Sequence, residues 1–175
     1  MELSHSGAFE LGAGTNFVIL PSADVAIVAL TNATPLGVPE ALNAQFADLV
    51  QFGEIRQDWY ALYQSLIAPM SDPVGSLVGK QPPANPAPAA PLASYIGTYQ
   101  NDYWGPARVT ERDGKLHLAL GTKMNVPLEH WDGDVFTYTW VSENSPPGSV
   151  GKVIFDGNKV TLEYYDELNK GTFVK

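Results

Sequence analysis

Few side chains in this sequence are of a type and spacing that could do chemistry. There is no cysteine, which excludes a thiolate nucleophile, Cys-ligated zinc and disulfides. His117 falls on the polar side of an alternating run, a solvated position. His130 stands beside Trp131 with no second histidine or carboxylate at ligand spacing, so no metal or other cofactor is implied. Asp166-Glu167 reads as a loop before a closing strand, not as a catalytic carboxylate pair. Tyr99, Tyr103, Trp104 and Trp131, with Trp140, have the chemistry of a ligand-binding mouth. Aromatic residues equally fill the core and plug the ends of a small β-fold. What remains is His5-Ser6-Gly7, an imidazole and a hydroxyl followed by a residue without a side chain.

These residues must be positioned by two pieces of different character. Between them lies Lys80–Leu92, where Pro82, Pro83, Pro86, Pro88 and Pro91 remove backbone donors and fix φ. An extended, solvated polyproline II connector of roughly 3 Å per residue is expected there. The division is therefore 1–79, 80–92 and 93–175. In the first piece, Asn16–Leu20 and Asp24–Leu30 are short β-branched apolar runs joined by Pro21-Ser22-Ala23, the pattern of a hairpin. Both runs are apolar on both faces, which predicts cover on each side. Val38, Leu42, Phe46, Leu49 and Val50 recur at helical spacing, with Pro39 at the start and Gly53 as the stop. Asp58 is a candidate cap for a second amphipathic helix that ends at Pro69.

The second piece carries turn signals at nearly even intervals, including Asp113-Gly114, Trp131-Asp132-Gly133 and Gly157-Asn158. Clear alternation in Lys115–Leu120 and Val160–Tyr164 puts one apolar face against a core. About eight antiparallel strands without a helix predict closure into a small lipocalin-like barrel. The expected fold class is thus an α+β fragment, a hairpin sheet with one or two helices, followed by an all-β barrel. The net charge of −9 offers no basic stripe, so nucleic acid is not an expected partner. No apolar run approaches the ~20 residues of a membrane span. The N-terminus lacks the basic and apolar regions of a signal peptide and reads as a start partway into a structure.

His5-Ser6-Gly7, the Gly-rich link at Gly12 and Gly14, two apolar strands ending Leu30-Thr31-Asn32 and a following helix together resemble the C-terminal part of the serine β-lactamase and penicillin-binding-protein-like hydrolases. The resemblance implies that His5 and Ser6 face substrate, that Gly7 leaves room for it, and that the Ala8 N–H is one oxyanion donor. The family's Ser-x-x-Lys and Tyr-x-Asn motifs do not precede His5. Ser149-x-x-Lys152 and Tyr99-x-Asn101 match them literally, but in reversed order within a strand-rich region. A strand sends positions i and i+3 to opposite faces, so Ser149 and Lys152 read as a chance match. Tyr95–Gly105, Leu128–Phe136 and Gly171–Phe173 resemble a β-domain often appended to the same hydrolases. The resemblance implies the C-terminal region of a serine hydrolase or peptidase, inactive alone, whose parent is periplasmic or secreted. Its expected partners are an N-terminal catalytic portion and, through residues 1–70, a second copy in a homodimer. The alternatives are a small-ligand or peptide-binding module and a subunit-assembly domain.

Overall fold

A computed structural model describes residues 1–175. It forms two units, Met1–Asp72 with Ser142–Pro146, and Pro73–Val141 with Pro147–Lys175. In unit 1, strands β1 (Leu3–Phe9), β2 (Ala13–Leu20) and β3 (Val25–Thr31) lie in that order in one antiparallel sheet, followed by helices α1 (Val38–Phe52) and α2 (Trp59–Ile67). β2 and β3 form a hairpin with Phe17 opposite Val28. Helix α1 begins after Gly37, which is left-handed at φ 75°, and a Cβ there would meet the Tyr63 backbone at 2.9 Å. It stops at Gly53, whose N–H donates to the Leu49 carbonyl at 3.1 Å. Asp58 caps α2 by accepting from the Ala61 N–H at 3.0 Å.

The sheet has cover on one face only. Gly14, Asn16, Val18 and Leu20 alternate inward, while Phe17 and Ile19 on the other face stay exposed. Helix α1 approaches the sheet through Glu40, Asn43 and Ala47, which meet Ser6, Asn16 and the Val18–Leu20 cluster. Its apolar stripe points outward: Val38, Leu42, Leu49 and Val50 are 42%, 52%, 50% and 38% exposed. The apolar core of this unit is correspondingly small: Val18, Leu20 and Ala47, with Val25 and Ile27 against them. Asp48 holds the corner between the helices, accepting from the Arg56 N–H at 2.8 Å and Trp59 Nε1 at 2.6 Å. Those bonds, Trp59 first, outweigh burial and hold its carboxyl below the usual range.

Unit 2 contains β4 (Gly97–Tyr99), β5 (Ala107–Arg112), β6 (Lys115–Leu120) and β7 (Met124–Pro127) in one sheet. A second sheet holds β8 (Glu129–Asp132), β9 (Val135–Tyr138), β10 (Gly151–Asp156), β11 (Lys159–Leu162) and β12 (Thr172–Val174). Both sheets bury alternate side chains in one core, among them Val109, Leu116, Leu118, Val153, Val160, Leu162 and Phe173. The closed eight-stranded barrel expected from the turn spacing is not formed. The run from Met124 to His130 is divided between the two sheets: β7 pairs with β6, the Leu128 N–H still donating in register to the Leu116 carbonyl at 2.8 Å, whereas β8 pairs with β9 and not with β6. At the other seam a single bridge, Gln100 to Val174, links the short β4 and β12 sides. The molecule is therefore mostly sheet, with three separate antiparallel sheets and two helices.

The proline-rich segment is extended and tied to unit 2 by the few donors and acceptors it has. The Ala87 N–H donates to Asp132 Oδ1 at 2.7 Å, and the Ala87 carbonyl accepts from the Gly133 N–H at 2.9 Å. The Ala90 N–H donates to the Tyr95 hydroxyl at 2.7 Å, and that hydroxyl donates onward to Asp134. Tyr95 is buried, with its ring 4.6 Å from that of Phe155 and 5.3 Å from that of Phe136. Burial, then the hydrogen bond to Asp134, pushes its hydroxyl up to about 12. A raised folded-state value contributes stability that is complete below the unfolded tyrosine value of about 10 and is lost as pH rises through the folded one. The urea midpoint of unit 2 should therefore fall between pH ~10 and ~12, and Tyr95→Phe should flatten that fall while costing about 1 kcal/mol at neutral pH. An equally steep alkaline fall in the variant would remove Tyr95 from this role.

Candidate functional site

The His5-Ser6-Gly7 triplet and Ala8 lie on β1, the edge strand of the unit 1 sheet. The pleat sends His5 and Ser6 to opposite faces. His5, opposite Phe17 in register, lies on the open face, where the two rings stack at 6.3 Å and 16°. Ser6, opposite the buried Asn16, lies on the helix side, and its hydroxyl donates to the Glu40 carboxylate in the first turn of α1. Gly7 opposes Thr15, whose hydroxyl donates to the Gly7 carbonyl at 3.2 Å. A Cβ at Gly7 would stand 3.0 Å from that hydroxyl oxygen.

A polar chain anchors this strand to the helix. Asn43 Nδ2 donates to Asn16 Oδ1 at 2.6 Å and to its carbonyl at 2.9 Å. Asn16 Nδ2 in turn donates to the His5 carbonyl at 3.2 Å. The chain fixes register more than it adds stability, because the buried Asn43 Oδ1 is left without a hydrogen-bond partner. The turn after β1 is capped within unit 1 by Glu143, whose carboxylate accepts from the Glu10 N–H at 2.6 Å. Glu40, Asn16 and Asn43 were missed in the sequence. The available signal was a pair of amides set inside apolar runs, Asn16 before Phe-Val-Ile-Leu and Asn43 one residue after Leu42.

Unit 2 separates the four aromatic candidates. Tyr99 is fully buried, and its hydroxyl donates to the Tyr95 carbonyl at 2.8 Å, so it belongs to the core. Trp131 lies apart at the bulge of β8. Tyr103 and Trp104 do come together at the surface, in a row with Tyr165 and Tyr164 that the sequence did not single out. Ring centroids along the row are 4.8, 5.0 and 5.1 Å apart, with edge-to-face angles of 85°, 71° and 79°. Asn101 holds the row in place. Its Oδ1 accepts from the Tyr103 and Trp104 N–H groups at 2.9 and 2.8 Å, and its Nδ2 donates to the Lys170 and Thr172 carbonyls at 2.7 and 2.8 Å. Trp104 Nε1 donates to the Tyr165 carbonyl at 3.0 Å.

The literal Ser-x-x-Lys is engaged elsewhere. Ser149 is buried, with its Oγ accepting from the Val74 N–H at 3.0 Å. Lys152 Nζ donates to Ser76 Oγ at 3.0 Å and pairs with Glu163 at 3.2 Å. Burial opposes the charge on Glu163, but the bonds from Ser76 and Lys152 win and keep its carboxyl below the usual range.

The crystal structure of the C-terminal domain of penicillin binding protein Rv0907 matches this fold with a TM-score of 0.52. It is 53% identical in sequence, and the match covers 60% of this chain and 100% of that one. This chain belongs to the penicillin-binding-protein C-terminal domains. Residues 81–166 also match a family described as a domain of unknown function, DUF3471. No curated protein matches the chain. In this penicillin-binding-protein C-terminal domain, Asn101 makes four hydrogen bonds that no other side chain of similar size replaces. Asn101→Ala should lower stability by about 1–3 kcal/mol and shift Trp104 emission to the red as the aromatic row loosens. Unchanged melting and emission would show that the row is held by ring packing alone.

Proposed function

We propose that this chain is the C-terminal region of a serine β-lactamase-like hydrolase or peptidase. Residues 1–79 complete its catalytic domain, 80–92 connect, and 93–175 form an accessory domain. The observation that carries this reading is the 53% identity with the C-terminal domain of a penicillin binding protein. The geometry of β1 supports it. The strand is an edge with one open face, His5 lies on that face, and the residue after it in the same pleat is Gly7, so a substrate can lie against the strand. The Ala8 N–H then serves as one oxyanion donor for the tetrahedral intermediate. Ser6, turned toward Glu40, holds the strand from beneath.

The nucleophile belongs to the rest of the parent enzyme, because Ser149 is committed to Val74 and Lys152 to Glu163. An oxyanion donor without a nucleophile cannot form an acyl-enzyme. The chain alone should therefore hydrolyse neither nitrocefin nor p-nitrophenyl esters above background. Turnover that disappears in Ser149→Ala would refute the assignment. The aromatic row favours a second reading, in which unit 2 is a small-ligand or peptide-binding module. A melting-temperature rise with short peptides, lost on Trp104→Ala, would support it.

The exposed apolar surface of unit 1 bears on partners. Leu3, Phe17, Ile19, Val28 and Leu30 share the open sheet face, with Val28 and Leu30 64% and 72% exposed. In the parent this face is covered by the N-terminal catalytic portion. In the isolated chain a second copy covers it, since a two-fold pairing lets one patch close on itself. Light scattering should give a dimer mass that falls toward the monomer in Val28→Lys. A wild-type chain monomeric across a wide concentration range would exclude the dimer.

A further inference from the structure

Beneath the motif strand, wholly within unit 1, lies a half-open pocket of about 130 Å³ lined by Ala8, Thr34, Leu36, Val38 and Ile67, with Glu40. Glu40 is the only ionisable residue lining it. It is 5% exposed, and no Lys, Arg or His lies within ion-pairing distance. Its bonded neighbour is the Ser6 hydroxyl, a neutral donor. A buried carboxylate facing an otherwise apolar pocket without a counter-charge is the less common case, since buried charges are normally paired. We propose that this pocket is a binding site for a short aliphatic primary ammonium group, whose carbon chain lies along Leu36, Val38 and Ile67 and whose N–H groups reach Glu40.

The class of ligand follows from size and donor geometry. An apolar cavity of roughly 150 Å³ accommodates a benzene-sized molecule, so three or four carbons fill this one. A guanidinium favours both carboxylate oxygens at once, and Oε1 is already taken by Ser6. An ammonium, a compact charge with three rotatable donors, is satisfied by the remaining oxygen. A neutral alcohol of the same shape leaves the carboxylate without a counter-charge. The site is defined by Glu40 and the pocket alone and does not depend on the hydrolase reading.

The test is an amide-resolved NMR titration of the full chain at pH 7 and low salt with isobutylamine, against isobutanol and isobutylguanidine. The amides of Ala8, Thr34 and Gly37 should shift saturably, with dissociation in the millimolar range expected of so small a ligand. The amine should bind about tenfold more tightly than the alcohol, reflecting a charged against a neutral hydrogen bond. Glu40→Gln should abolish that preference. Ser6→Ala, which frees Oε1, should strengthen amine binding, and it decides the matter if Glu40→Gln fails to fold. Equal affinities for amine and alcohol, a preference retained in Glu40→Gln, amine binding unchanged or weakened in Ser6→Ala, or no saturable shift at these amides would each overturn the proposal.

Discussion

A sheet buried on one side only is the constraint from which the rest of unit 1 follows. Val18 and Leu20 find Ala47 beneath them, but Phe17, Ile19, Val28 and Leu30 on the other face meet solvent. The helix repeats the pattern, turning Asn43 and Ala47 toward the sheet and Leu42 and Leu49 outward. Apolar area left in water contributes nothing to stability, at a loss of roughly 25 cal/mol for each Å² that a partner would cover. With so small an apolar core, the unit leans on polar contacts: the Asn43–Asn16–His5 chain, the Ser6–Glu40 bond and Asp48 between the helices. The first two of those contacts converge on the motif strand, which is why its register is fixed even though its outer edge is open.

Unit 2 obeys the opposite logic. Its core is continuous across two sheets, and aromatic rings from β4, β9 and β10 meet at Tyr99, Phe136 and Phe155, with Tyr95 among them. The row from Tyr103 to Tyr164 lies at the edge of this core, held by the Asn101 amide, by the Trp104 Nε1 bond to the Tyr165 carbonyl and by Tyr165, which packs against the core.

Local signals were legible and pairings were not. Pro39, Gly53 and Asp58 marked the helix ends because caps and stops depend on neighbours in sequence. Asp113-Gly114 marked its turn because both residues adopt positive φ there. The barrel failed because closure is decided by pairings that turn spacing does not encode: β8 goes to β9 in the second sheet, and between the β4 and β12 sides, far apart in sequence, a single bridge forms. The apolar stripe of α1 is legible as a stripe, but it faces outward, and periodicity does not say which body covers a face. At the candidate site the triplet itself was visible, but the carboxylate beneath it lies 34 residues beyond Ser6, and no local pattern connects them.

The strap formed by residues 81–91 has a consequence for how sheets grow. Strand addition needs a row of free N–H and C=O groups, and a segment with five prolines has few donors to offer. Ala87 and Ala90, among its remaining donors, are already engaged with Asp132 and the Tyr95 hydroxyl. The tip of the β8–β9 hairpin is thus covered by a length of chain that cannot act as a template. At that tip the proline-rich chain offers few free donors with which a further strand could pair.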